Sequence, residues 1–154
     1  MDQPEVTTTA STPEQVGLSF LTLAHGLREQ VDRYMTSTAG LSLSRTKILR
    51  ILADRGTLHQ AELATTLGQA PRSVTQAVEG CERLGLVART GDPEDRRRKT
   101  VSLTETGRAT LAAAEQAGTH ALRRCFDSLE PQQLATLDAL LKHLGTALTG
   151  NNAN

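Results

Sequence analysis

Aromatic residues are nearly missing: the 154-residue chain has two Phe, one Tyr and no Trp. Its apolar residues amount to 38%, so the core has to be built from Leu, Ala, Val and Ile, the habit of helical proteins. Cysteine is scarce as well. Cys81 and Cys125 stand far apart without C-x-x-C spacing, which argues against a disulfide framework. With no signal sequence in view, a reduced, cytoplasmic setting is expected. No apolar run approaches the ~18 residues of a membrane span, so a soluble chain is expected. Net charge is absent too, with Lys+Arg and Asp+Glu at 17 each. Attraction to a polyanion can then come only from a local concentration of cations. Catalytic signatures are also missing: there is no H-E-x-x-H, phosphate-cradling glycine loop or nucleophile elbow. His59, His120 and His143 have no partner at ligand spacing. Neither enzyme, metal nor cofactor is expected.

What is present is helical punctuation. Residues 1–11 carry Thr, Ser and acid without periodicity and read as a disordered tail. Thr12-Pro13-Glu14-Gln15 has the form of a capping box. Val16, Phe20, Leu23, Leu27, Val31 and Tyr34 then recur at steps of three and four, predicting an amphipathic helix to about Thr38. Ser44 is the expected cap of a second helix with Ile48, Leu49, Ile51 and Leu52. A third spans about His59–Leu67, with Ala61, Leu63, Ala64 and Leu67 inward. A fourth, at about 70–84, places Val74, Ala77, Val78, Cys81 and Leu84 on one face. Two short β-prone runs follow, 86–90 and 100–103, around a charged turn-rich loop from Gly91 to Lys99. Helix returns over 105–127, with Leu111, Ala114, Leu122 and Phe126. Pro131 opens a last helix whose Leu134, Leu137, Leu141, Leu144 and Leu148 form a coiled-coil-like seam. Residues 149–154 read as a loose tail. Cys81 and Cys125 both fall on inward helix faces and read as small buried hydrophobes.

Segment 59–84 follows the pattern of a helix-turn-helix: a short helix, a glycine, and a second helix with small or polar residues in its first turn. The outward face of that second helix offers Arg72, Ser73, Thr75, Gln76 and Glu79. Arg72 can grip a guanine or a phosphate, and Gln76 can pair with adenine. Each residue alone is equally an ordinary solvated position. The loop changes the balance. Arg96, Arg97, Arg98 and Lys99 are four consecutive cations that repel one another unless an anion lies close. Arginines on such a loop suit a minor groove. Asp95 is expected to fix one guanidinium, that of Arg97, by a charge-assisted bond.

The run Asp92-Pro93-Glu94-Asp95-Arg96-Arg97-Arg98-Lys99-Thr100-Val101-Ser102-Leu103-Thr104-Glu105-Thr106-Gly107 resembles the signature of the bacterial multiple-antibiotic-resistance regulator (MarR) family. Glu62-Leu63-Ala64, Leu84-Gly85-Leu86-Val87 and the order of elements over 13–148 fit the same pattern. Gln69 and Ala70 depart from it, standing where the family commonly has an apolar residue and a Ser or Thr cap. The resemblance implies a mainly α fold, a winged helix-turn-helix with a two-stranded β wing. It implies a DNA-binding lobe at 44–107 and an intertwined homodimer formed by 12–40 and 108–148. It further implies a repressor on a pseudo-palindromic double-stranded operator, in many members released by a small anionic or aromatic effector. The implied effector pocket lies between the first, second and fifth helices, where His25, Arg28, Tyr34 and Arg50 are its candidate groups. The alternative is a helical interaction module that uses the leucine seam and binds no nucleic acid, which leaves Arg96–Lys99 unexplained.

Overall fold

Capping decides where the first helix begins. In the computed structural model, which describes residues 10–95 and 97–151, α1 runs Pro13–Ala39. Thr12 Oγ1 accepts the Gln15 N–H at 3.3 Å, and Gln15 Oε1 accepts the Thr12 N–H at 3.0 Å. Two otherwise orphaned donors are thereby satisfied. The helix α2 spans Leu43–Arg55, and its cap is Ser42 rather than the expected Ser44: Ser42 Oγ accepts the Arg45 N–H at 3.4 Å. The N–H of Leu43 is taken by Asp32 Oδ1 of α1 at 2.7 Å, which pins the start of α2 to the first helix. Ser42→Ala should therefore cost about 1 kcal/mol in chemical denaturation. Ser44→Ala should stay within about 0.5 kcal/mol. Equal losses would remove this distinction.

A two-residue strand, β1 (Leu58–His59), precedes α3 (Gln60–Leu67) and α4 (Pro71–Arg83). The turn between those helices needs Gly68, whose φ of 61° is left-handed. Ala70 caps α4 with no side-chain bond, and Pro71 at the first position presets the helical φ. The wing strands are β2 (Val87–Gly91) and β3 (Lys99–Leu103). Here the sheet exceeds expectation: it has three antiparallel strands in the order β1-β3-β2, with Leu58 opposite Val101 and Val87 opposite Leu103. A two-residue strand is too short to show an alternating pattern, and His59 instead read as helix.

The long helix α5 (Glu105–Phe126) packs along α1, and α6 (Pro131–Asn151) follows. Helix thus continues through 149–151, which corrects the loose tail expected there. Residues 152–154, most of the expected N-terminal tail and Arg96 lie outside the described residues.

The core gathers Met35, Leu41, Ile48, Leu49, Leu52, Leu63, Val74, Val78 and Val101, with Cys81 among them. Burial pushes the Cys81 thiol above its usual range. Cys125 is only half-buried within the chain, contrary to expectation. Leu84 and Ala61, expected inside, are exposed. Leu84 is the C-cap of α4 at φ −86° and ψ 0°, so the backbone has already left the helix and its side chain leaves the α4 face. Leu122 is likewise 43% exposed. Among the described residues, every buried core residue lies between Val31 and Ala121. Val16, Phe20 and Leu23 on α1 and Leu134, Leu141, Leu144 and Leu148 on α6 are all exposed. No described helix is long and apolar enough to cross a membrane.

Candidate nucleic-acid interface

The lobe presents two neighbouring elements on one side, the N-terminal half of α4 and the tip of the β2–β3 hairpin. On α4, Arg72, Ser73 and Gln76 are exposed. None of the three makes a side-chain hydrogen bond or ion pair among the described residues. Thr75 differs. Its hydroxyl donates to the Pro71 carbonyl at 2.9 Å and accepts from Gln60 Nε2 at 2.5 Å, so its polar capacity is spent inside the helix-turn-helix.

The wing tip is held by its carboxylates, though not as expected. Asp95 Oδ1 accepts the backbone N–H of Arg97 at 3.0 Å and does not grip the Arg97 guanidinium. Asp92 Oδ1 accepts the N–H of Glu94 at 2.9 Å, while the Asp92 N–H donates to the Arg98 carbonyl at 2.9 Å. A side-chain oxygen two residues before a backbone N–H closes an Asx turn without long-range constraint. The Glu94 N–H, aided by the Asp95 N–H and by nearby His59 and Arg98, holds the Asp92 carboxyl below its usual range. His59 Nε2 sits 3.7 Å from Asp92 Oδ2, linking the start of α3 to the tip. Each aspartate has one oxygen on a turn amide, and Arg97, Arg98 and Lys99 are exposed with no carboxylate within ion-pair distance among the described residues. The expected run thus presents three described cations; Arg96 lies outside the description.

Between α4 and the wing lies a cleft of about 390 Å³ bordered by His59, Gln60, Pro71, Thr75, Glu79, Arg89, Arg97, Arg98 and Lys99. Arg89 is not among the residues that the sequence singles out. Its Nε lies 2.8 Å from Glu82 Oε2, and its Nη1 lies 3.3 Å from Glu79 Oε1. Hydrogen bonding from Arg89 holds the Glu82 carboxyl below its usual range, and Glu82 in turn raises the Arg89 pKa. Glu79 is therefore committed to the wing strand rather than offered to a base. The available signal was the pairing of acids at 79 and 82, one helical turn apart, with a cation on the Val87 side of the alternating strand.

The four candidate effector residues do not line one hollow. His25 pairs with Glu29 at 3.4 Å, and together with Arg28, Asp32 and Ser44 they border a shallow space of about 290 Å³. Tyr34 stacks on His120 of α5, with ring centroids 5.6 Å apart at 27°. Arg50 of α2 ion-pairs with Glu115 of α5 and reaches Asp54 at 3.5 Å. No group of three or more His, Cys, Asp or Glu suited to a metal occurs among the described residues.

Comparison with known proteins agrees with this architecture. Residues 39–98 match the family model described as the MarR family. The chain is 31% identical over 123 residues to the HTH-type transcriptional regulator YkoM of Bacillus subtilis, whose own role is uncharacterized, covering 79% of this chain and 75% of that one. It is 29% identical over 108 residues to a second such regulator of Bacillus subtilis, YfiV, covering 70% and 68%. Among solved structures it resembles Sco3205, a MarR family transcriptional regulator from Streptomyces coelicolor in complex with DNA. The TM-score is 0.69 at 28% identity, covering 90% of this chain and 91% of that one. Its winged helix and these relatives place it among regulators rather than enzymes: the chain belongs to the MarR family of transcriptional regulators.

Proposed function

We propose that this regulator is a homodimeric repressor that occupies a pseudo-palindromic operator on double-stranded DNA. Its lobe at 44–107 contacts the DNA, and 12–40 with 108–148 form the dimer. The observation that carries the proposal is the pairing of an exposed Arg72, Ser73 and Gln76 on α4 with Arg97, Arg98 and Lys99 on the adjacent wing tip. The helix suits a major groove about 12 Å wide, and the tip suits the flanking minor groove. Two α4 helices of a dimer then enter successive major grooves about 34 Å apart. The exposed apolar faces of α1 and α6 support the dimer, and the DNA complex of Sco3205 supports the docking.

Release by a small anionic or aromatic effector fits the junction of α1, α2 and α5. There Arg50 ion-pairs with Glu115, and Tyr34 stacks on His120. An anionic ligand competes with Glu115 for the guanidinium, and a flat one inserts beside the ring pair. His25 and Arg28 lie further along α1.

Selection of bound duplexes from a random pool tests the operator. Replacing Arg97 and Arg98 with Ala should weaken binding to specific and random duplexes alike. It should also flatten the log–log salt dependence by roughly 1 for each phosphate that is no longer neutralised. Unchanged affinity and slope would remove the wing from the interface.

A further inference from the structure

We propose that Arg89 is a positioning residue: by holding Glu82 and Glu79 it fixes the wing strand to α4 and sets where the cationic tip falls relative to the DNA-reading helix. The inference rests on the DNA-binding role proposed above. Its first support is the sheet order. The strand β3 is paired on both sides, with β1 and with β2, whereas β2 is an edge. Among the described residues, the bonds from Arg89 to Glu82 and Glu79 are the only side-chain hydrogen bonds that join β2 to α4. Arg89 reaches Glu82 Oε2 with two nitrogens, Nε at 2.8 Å and Nη2 at 2.6 Å, and its side chain is only 15% exposed. A planar guanidinium held by two nitrogens on one Glu82 oxygen and by the third on Glu79 is fixed in direction as well as distance.

The second support is the charge that such a clamp requires. Glu79 borders the cleft that faces the wing cations, and Glu82 lies one helical turn further along α4 on the same arginine; both carboxylates oppose an approaching phosphate backbone. A lobe shaped by net attraction alone would lack them. Their placement makes sense if the geometry they enforce outweighs the repulsion, which Arg89 partly cancels. Field and geometry therefore predict opposite signs. Removing both carboxylates makes the lobe more positive, so a field effect tightens DNA binding. A clamp predicts that binding weakens because the tip no longer tracks the minor groove.

The test uses the full chain and a duplex selected by the wild type, with affinity and hydroxyl-radical footprints measured together. Glu79→Ala with Glu82→Ala should lose the flanking minor-groove protection, retain the central protection, and bind about tenfold more weakly despite the added positive charge. Arg89→Lys keeps the charge but loses the fork, and should show the same selective loss. Tighter binding with a complete footprint in the double variant, or an unchanged footprint in Arg89→Lys, overturns the clamp. Uniform loss of central and flanking protection also overturns it, because a purely structural role gives that pattern. Wild-type protein that selects and protects no duplex would instead overturn the DNA-binding role itself, and the clamp with it.

Discussion

Gly107→Ala is expected to destabilise the protein by about 3 kcal/mol, a large share of the ~5–15 kcal/mol that holds a typical domain folded. The first turn of α5 is pressed against the backbone between α4 and β2. Thr104 caps that turn: its Oγ1 accepts the Gly107 N–H at 2.9 Å and donates to the Gly85 carbonyl at 2.6 Å, while its N–H donates to the Leu86 carbonyl at 3.1 Å. A Cβ on Gly107 would collide with the Leu86 carbonyl oxygen and lie 2.8 Å from Leu103 Cδ1. Backbone cannot rotate aside as a side chain can, so the helix start, the wing root or both must move. Urea denaturation measures the loss. Gly17→Ala is the control: this exposed helical glycine has nothing within 4 Å of a new Cβ. It should gain about 0.5–1 kcal/mol. A Gly107→Ala protein with wild-type stability would show that the α5 docking is looser than described.

Truncation after Glu130 is expected to convert the proposed dimer to a monomer and to lower operator affinity about a hundredfold or more, since two linked lobes act at each other's effective concentration. The lobe itself should survive. Among the described residues, all buried core residues lie between Val31 and Ala121, and α6 packs only marginally on the rest of its own chain. Leu134, Leu141, Leu144 and Leu148 are 39–70% exposed in the single chain. Full burial of a leucine is worth roughly 1.5–3 kcal/mol, so this face gains most by meeting another. Sedimentation of the truncated protein, with a thermal melt to confirm folding, decides the matter. A folded dimer lacking α6 would place the interface elsewhere.

The parts of this molecule legible in the sequence are those specified by local chemistry. The capping box at Thr12–Gln15, the glycine at 68 between α3 and α4, and the cationic loop with its flanking strands each act within a few residues. Distant pairing was not legible. Ser42 and Ser44 are equally good caps by type, and the contact of Asp32 with the Leu43 N–H, which comes from another helix, helps decide that α2 starts after Ser42. The strand β1 exists because β3 lies beside it, not because two residues favour extension. The bond of Asp95 to a backbone N–H rather than to the Arg97 guanidinium reflects proximity, because the amide is already in place and the long side chain must be ordered. Arg89 passes as an ordinary strand residue until Glu79 and Glu82 are seen across from it. Among the candidate interface residues, the exposed α4 positions Arg72, Ser73 and Gln76 followed from helical periodicity. Thr75 did not, since Gln60 comes from another helix.

One consequence follows from α5 being a single uninterrupted helix of 22 residues. It begins under the wing root at Gly107 and continues past Ala114, Ala117 and Gly118, whose small side chains let α1 approach closely along its length. A helix of that length is a rod about 33 Å long, and a tilt of about 5° at one end carries the other through about 3 Å. That displacement is comparable to the length of a hydrogen bond. With the wing root at one end and the Tyr34–His120 stack near the other, the rod is in effect a lever: under the proposed docking, a tilt of that size would shift the lobe against a groove by about the same distance.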